Sequence, residues 1–371
     1  MGFQASLADS SLFILRHGKF LVFLLVYVDD IVLTGNNPSF LQSLILQLSS
    51  EFELKDLGNL HYFLGLHITR TSRGIFLNQS KYAHDLLQKH NMLSAKPAKT
   101  PCAPNLRLVP ATSSLLSNPH EYRSIVGYLH YLTFTRLDLS FAVHQVCQFM
   151  SAPDETHLIA AKRILRYVNG TPNLGIFFQH GPLSLSAFSD SDWAGDPFDR
   201  RSTTGFLVYL GFNPITWCAK KQDTVSRSST ESEYCALATT AAELCWIRQV
   251  LKDIGIYLSF ALKLWCDNVS ALAIASNPVF HARTKHVEVD FHFVREKVLR
   301  KDLQVRYIAT GDQLADIFTK SLSSSRFLYL RSKTMVSIDP LVLRGDESRV
   351  TESDLEKKQQ ESSKAPTVTL V

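Results

Sequence analysis

Residues 183–220, LSLSAFSDSDWAGDPFDRRSTTGFLVYLGFNPITWCAK, decide how the second half of the chain folds. Three runs of alternating, β-branched or aromatic residues, Leu183–Ser189, Thr203–Leu210 and Pro214–Lys220, are parted by Gly, Asp and Pro, so three strands joined by turns are predicted. Downstream the period changes. A helix is predicted over 229–253, a strand over Leu262–Cys266, helices over 268–276 and 287–300, a strand over Val305–Ile308 and a helix over 311–322. That order predicts a mixed five-stranded sheet flanked by helices, and the fold class is α/β.

Upstream, His180-Gly181-Pro182 opens this segment. Residues 121–170 predict two or three helices, the last started by Pro153-Asp154 and stopped by Gly170-Thr171-Pro172. Leu158, Ala161, Leu165 and Val168 form its apolar stripe. Lys162, Arg163 and Arg166 lie off that stripe, where they either meet phosphates or make a solvated face. Five prolines among residues 96–120 suit an exposed connector. Nearer the start, two strand-like runs flank His17-Gly18-Lys19, and Asp29-Asp30 separates the second from Ile31-Val32-Leu33, which reads as a β-meander. A helix should follow near Ser39–Phe52, with Leu41, Leu44, Ile45 and Leu48 on its buried face. The expected organisation is therefore four segments, 1–95, 96–180, 181–325 and 326–371. Beyond Arg344 the chain turns to Glu, Lys, Gln and Ser, which predicts disorder.

A chain of 371 residues with 45% hydrophobic and 20% charged residues is globular material, long enough for two or three domains. The apolar run Leu21–Val28 is far shorter than the roughly 20 residues that cross a bilayer, so no membrane association is expected. No secretory signal is legible at the N-terminus. The six cysteines show no paired close spacing, which predicts free thiols and no zinc site. A net charge of +5 is compatible with a polyanionic partner.

Four carboxylates fall on four different predicted elements. Asp190 ends the first strand within Phe188-Ser189-Asp190-Ser191-Asp192-Trp193, and Asp267 sits where the fourth strand hands over to a helix, the usual ligand edge of an α/β sheet. Ser228 with Glu231 makes a capping box, and so does Thr310 with Gln313. Glu231 is thereby accounted for as a cap, whereas Glu233 and Asp316 lie past their caps. Each acid alone would cap or solvate a helix end; together in this order they predict one cluster. Clustered carboxylates repel one another unless divalent cations neutralise them, which predicts two Mg²⁺ ions, with Mn²⁺ an alternative. Phosphodiester hydrolysis is the chemistry such a pair serves, one ion activating water and the other stabilising the leaving 3′ oxygen, with Asp190 as the bridging ligand. A second acidic site is suggested where Asp29-Asp30 ends an apolar run, since an ionised pair there needs water, a cation or a metal.

Tyr27-Val28-Asp29-Asp30 resembles the active-site hairpin of reverse transcriptases. Together with FELKDLGNLHYFLGLHI, YRSIVGYLHYLTFTR, SDSDWAGD, TVSRSSTESEY, HARTKHVEVDFHFVREKV and DQLADIFTK, it makes residues 2–345 resemble the pol region of copia-type LTR retrotransposons. The resemblance implies the C-terminal part of a reverse transcriptase, palm over 1–95 and thumb or connection helices over 96–180, followed by an RNase H domain over 181–325 acting on RNA:DNA hybrids. It implies that Asp190, Glu233, Asp267 and Asp316 are catalytic metal ligands and that Asp29 and Asp30 are hairpin ligands. It also implies other Pol parts as partners, and a virus-like particle in the cytoplasm, or the nucleus, as location. The polymerase site is expected to be incomplete, because an upstream metal-binding Asp is missing from the 26 residues before Tyr27. Two departures stand out: Leu137 in Thr135-Arg136-Leu137-Asp138 where the family tends to Pro, and no His within Tyr307–Gly311. Lys162, Arg166, Lys220, Lys221, Arg283, Lys285 and His286 are candidate nucleic-acid contacts, while His281 and His286 read equally as surface residues. Three functions follow: an active ribonuclease on hybrids, a silent nucleic-acid-binding remnant, or a polymerase completed by another chain.

Overall fold

The computed structural model describes residues 2–104, 107–111, 114–276, 288–334, 336–338 and 367–370. The described residues divide into two compact units, one of 2–64, 245–257 and 367–370, the other of the described residues within 65–244 and 258–338.

In the first unit β1 (Gln4–Ala5), β2 (Leu12–His17), β3 (Phe20–Tyr27) and β4 (Asp30–Gly35) form the expected antiparallel meander. Helix α1 (Pro38–Glu51) starts where Pro38 fits the first turn and Asn37 accepts a hydrogen bond from the Phe40 N–H. Its Leu41, Leu44, Ile45 and Leu48 bury against Leu15, Val22, Leu24 and Leu33 of the meander. Each such side chain contributes roughly 1.5–3 kcal/mol. The short strands β5 (Lys55–Asn59) and β6 (Tyr62–Phe63) follow. One expectation is corrected: within the tail predicted to be disordered, Thr367–Leu370 form a strand lying parallel to β4 and β5. The sequence TVTL has the β-branched content of a strand, and the open edge of β4 offers it hydrogen-bond partners.

The second unit joins two sheets and a helical layer. Strands β7 (Leu66–Thr71) and β8 (Gly74–Asn78) precede α2 (Ser80–Lys89), α3 (Pro119–Leu132), α4 (Ser140–Cys147) and α5 (Glu155–Asn169). Asp154 and His157 close a reciprocal capping box at the start of α5, and all four residues of its expected stripe are buried. Leu137 is fully buried in a short 3₁₀ turn leading to α4. Beside it the Arg136 guanidinium grips Asp138 with two hydrogen bonds of 2.9 and 3.0 Å, and the Tyr167 hydroxyl donates to the same carboxylate at 2.6 Å. Burial alone would raise Asp138, but the Arg136 charge and these bonds outweigh it and hold the carboxyl below its usual range.

Next in the chain come β9 (Leu174–Gln179), β10 (Leu185–Asp192), β11 (Thr203–Leu210), β12 (Asn213–Lys221), α6 (Ser229–Asp253, its residues from 245 onward counted with the first unit), β13 (Leu262–Cys266), α7 (Val269–Ser276), α8 (Glu288–Leu299) and β14 (Leu303–Tyr307). Helix α9 (Ser324–Lys333) and β15 (Val336–Ile338) close the unit. The central sheet has the order β12-β11-β10-β13-β14, with β10, β11 and β12 antiparallel and β13 and β14 parallel to β10. This is the mixed five-stranded α/β sheet the sequence pattern predicts. Antiparallel β7, β8, β9 and β15 pair in the second sheet in the order β15-β9-β8-β7. Leu207, Tyr209, Ile317 and Phe318 share one buried cluster with α3, α4 and α5, so the compact unit is larger than the 181–325 segment.

The helix expected over 311–322 is replaced by two 3₁₀ turns, Thr310–Asp312 and Leu314–Phe318. Gln313 between them is extended, its side chain donating to the Ser189 carbonyl and accepting from the Ala315 N–H. Nor does Thr310 act as the predicted cap, because its hydroxyl is spent on Asp267.

Candidate active site

Asp190 lies near the C-terminal end of β10, in register with Gly205 of β11, and is 1% exposed. The 3₁₀ turn carrying Asp316 packs directly over this pair. A Cβ at Gly205 would come within 2.6 Å of Thr319 Cγ2 and 2.8 Å of Phe318 Cβ, so only glycine admits the turn so closely. Asp316 is thereby held over the sheet at 4% exposure, and the Thr319 hydroxyl donates to Asp190.

Glu233 comes from the second turn of α6. Glu231 is consumed at the helix start as expected: its N–H donates to Ser228 Oγ and its carboxylate accepts from the Arg227 N–H. Glu233 is left free to point inward, where it is 7% exposed and accepts from the Ser191 N–H. Asp267 follows β13, whose parallel pairing beside β10 brings it alongside. Oxygens of Glu233 and Asp267 and the Cys266 thiol lie within 4.8 Å of one another, the one such group of three among the described residues.

The acids act on one another through their charges, Asp190 feeling Asp316 and Asp267, and Glu233 feeling Asp190 and Asp267. Burial raises Asp190 above the usual carboxylate range, and the charges of Asp316 and Asp267 add to the rise against the opposing pull of Lys320. Glu233 is pushed up to about 9 by burial first and then by Asp190 and Asp267. Burial and the neighbouring Glu233 likewise raise the Cys266 thiol, which makes it a poor anionic ligand at neutral pH. Asp192, one turn of the pleat beyond Asp190, is raised to about 7 mainly by burial.

Several groups in this cluster were not foreseen. Lys320 Nζ donates to Asp190 Oδ1 at 3.2 Å and to Asp316 Oδ1 at 2.5 Å. Arg326 Nη2 donates to Asp316 Oδ2 at 3.2 Å, and Thr310 Oγ1 to Asp267 Oδ2 at 2.9 Å. The spacing of Asp316 and Lys320, four residues apart, was the signal that could have revealed the first of these. Lys320 also borders a cleft of about 240 Å³ lined by Asp192, Trp193, Thr203, Lys221 and Thr319.

The other candidates are placed as follows. Tyr27 pairs with Asp30 across a two-residue turn of Val28 and Asp29, with Val28 at φ +52°, a strained setting for a β-branched residue. Among the described residues no third candidate ligand converges on Asp29 and Asp30. Lys162 pairs with Glu121 at 3.6 Å, and Arg166 Nε donates to the Lys96 carbonyl at 2.7 Å. Lys221 pairs with Asp196 and Asp199 at 2.6 and 2.8 Å, while Lys220 is exposed. His281, Arg283, Lys285 and His286 lie outside the described residues. No described helix is long and apolar enough to cross a membrane.

Comparison with known proteins adds an independent line. Residues 1–104 match the family described as reverse transcriptase (RNA-dependent DNA polymerase). The chain is 50% identical over 341 residues to the retrovirus-related Pol polyprotein from transposon RE1 of Arabidopsis thaliana, a match covering 92% of this chain and 23% of that relative. It thus spans about a quarter of that protein's length. An uncharacterized mitochondrial protein of A. thaliana is 52% identical over 226 residues, with 94% of its length covered by 61% of this chain. Among solved structures, a foamy viral protease-reverse transcriptase in complex with RNA/DNA hybrid shares 13% identity at a TM-score of 0.39, over 67% of this chain and 29% of that one. That likeness is too distant to bear on the fold, which rests on the strand order above.

Proposed function

The chain belongs to the Pol polyprotein family of copia-type retrotransposons, and on that premise we propose that its second compact unit is an RNase H that hydrolyses the RNA strand of RNA:DNA hybrids. The observation that carries the reading is the convergence of four acids from a strand, a helix, a strand end and a 3₁₀ turn: Lys320 bridges Asp190 and Asp316 at 3.2 and 2.5 Å, and oxygens of Glu233 and Asp267 lie within 4.8 Å of each other.

The donor set fits divalent magnesium. All four residues offer hard carboxylate oxygens, and burial first, then their mutual charge, raises Asp190 and Glu233, a cost that divalent cations would relieve. Asp190, Glu233, Asp267 and Asp316 would hold two Mg²⁺ ions, with Mn²⁺ as an alternative, and the ions would supply Lewis acidity for phosphodiester hydrolysis. The protein's own part is positional. Gly205 lets the Asp316 turn settle on β11, Thr319 orients Asp190 and Thr310 orients Asp267. Exposed Lys220 and the cations of 281–286 are candidate contacts to the nucleic-acid backbone.

A second reading is favoured by the Tyr27–Asp30 hairpin: the first unit supplies Asp29 and Asp30 to a polymerase site completed by another Pol chain. Two assays separate the readings. Cleavage of a labelled hybrid by the chain alone supports the ribonuclease, whereas primer extension only on adding a longer Pol protein supports the second. Salt-sensitive hybrid binding with neither activity would leave a silent binding remnant.

A further inference from the structure

Lys320 is the member of the cluster to which the four-acid reading gives no role. One ammonium ties Asp190 of β10 to Asp316 of the 3₁₀ turn, at 3.2 and 2.5 Å. The two carboxylates are almost wholly enclosed, their side chains 1% and 6% exposed, whereas that of Lys320 is 38% exposed and borders the open cleft. The second cation behaves differently. Arg326 reaches Asp316 alone, and its guanidinium is tethered to the Thr310 and Gly311 carbonyls at 2.9 and 2.5 Å. A tethered planar fork is fixed in place, but a point charge on a flexible four-carbon stem with an exit to solvent can leave.

We propose that the Lys320 ammonium is a built-in stand-in for a divalent ion, holding Asp190 and Asp316 together in the metal-free chain and moving out when a cation binds between them. The proposal rests on the metal-dependent reading above. In a chain without bound metal, the mutual repulsion of two buried acids from different elements would then be offset by a charge the chain supplies itself. It also sets the affinity of the site, because an arriving ion must displace a group already making charge-assisted bonds. Removing the ammonium leaves the cluster one unit more negative a few ångströms from the ion, which at a partly buried site changes affinity by about tenfold or more.

Isothermal titration of the whole chain with Mg²⁺, comparing the wild type with Lys320→Gln and Lys320→Arg, reads this directly. The Gln variant should bind about tenfold tighter or more, and the Arg variant should stay close to the wild type. Equal or weaker binding by Lys320→Gln overturns the stand-in. Because that variant can lose stability with its charge, a second measurement uses the unaltered chain: acylation of lysines by an amine-reactive ester, read by mass spectrometry. Labelling of Lys320 relative to exposed Lys220 should rise when Mg²⁺ is added, and unchanged or reduced labelling overturns the proposal. A chain that binds no Mg²⁺ in any version overturns the metal reading and the stand-in with it, whereas binding of equal strength in all versions overturns the stand-in alone.

Discussion

Gly205→Ala adds one methyl group at the place where the sheet meets the turn that carries Asp316. The new Cβ would lie 2.6 Å from Thr319 Cγ2, 2.8 Å from Phe318 Cβ and 3.1 Å from the Ala315 carbonyl oxygen. Rotation of a side chain can relieve only the first of these, since Phe318 Cβ and the carbonyl move with the backbone. Overpacking of this kind costs about 1–3 kcal/mol. Relief requires the turn to lift from β11, and the same turn holds Asp316, Thr319 and Lys320. A displacement of about 1 Å in a catalytic group lowers rate on the order of 100-fold. Urea unfolding and hybrid cleavage should therefore fall together, with cleavage losing far more than the stability change explains. Thr319→Ser in the same chain, which removes Cγ2 and keeps the hydroxyl on Asp190, should restore part of both. A Gly205→Ala protein with wild-type stability and wild-type cleavage would refute the claim that close packing of the turn positions the site.

Three other outcomes follow from the geometry. Glu233 is raised from 4.5 to about 9, so the folded state holds this proton more tightly than the unfolded chain. Its contribution is fully present below pH 4.5 and is lost as pH climbs toward 9. Metal-free urea melts across that range should show the wild type losing on the order of 2–4 kcal/mol more than Glu233→Gln, and saturating Mg²⁺ should shrink the difference. Asp138→Ala strands the enclosed Arg136 guanidinium and should cost about 3–5 kcal/mol in the same assay, a loss below about 1 kcal/mol contradicting a buried pair. Val28→Gly should raise the unfolding free energy of the hairpin's unit by about 0.5–1 kcal/mol, because relief at φ +52° exceeds the entropy cost of glycine; a decrease would mean that Val28 is not strained.

Much of this was written in local pattern. Strand Thr203–Leu210 and helix 229–253 begin and end where β-branched content and the Ser228 cap place them, and that framework alone puts Asp190, Glu233 and Asp267 at one edge of a sheet. The turn around Asp316 was harder. Residues 311–322 carry helical spacing, but Gln313 gives its side chain to Ser189, 124 residues away, and no local rule anticipates a hydrogen bond of that span. Thr310 looked like a cap for the same reason and serves Asp267 instead. Lys320 was missed because a lysine four residues after an acid usually reads as a solvent-exposed helix pair. The basic residues were least legible: Lys221 and Arg166 look alike in sequence to a phosphate contact, yet one neutralises Asp196 and Asp199 and the other fastens the Lys96 carbonyl. Cation roles depend on which distant group arrives alongside, and composition does not record that.

Cleavage of an RNA:DNA hybrid labelled on its RNA strand, in Mg²⁺, by the wild-type chain and by Asp190→Asn, Glu233→Gln, Asp267→Asn and Asp316→Asn, tests the central claim most directly. The four-acid cluster predicts RNA-strand cleavage by the wild type and background levels in all four variants, each still folded by circular dichroism. A wild-type chain that leaves the hybrid intact, or cleavage that survives Asp190→Asn, would contradict it.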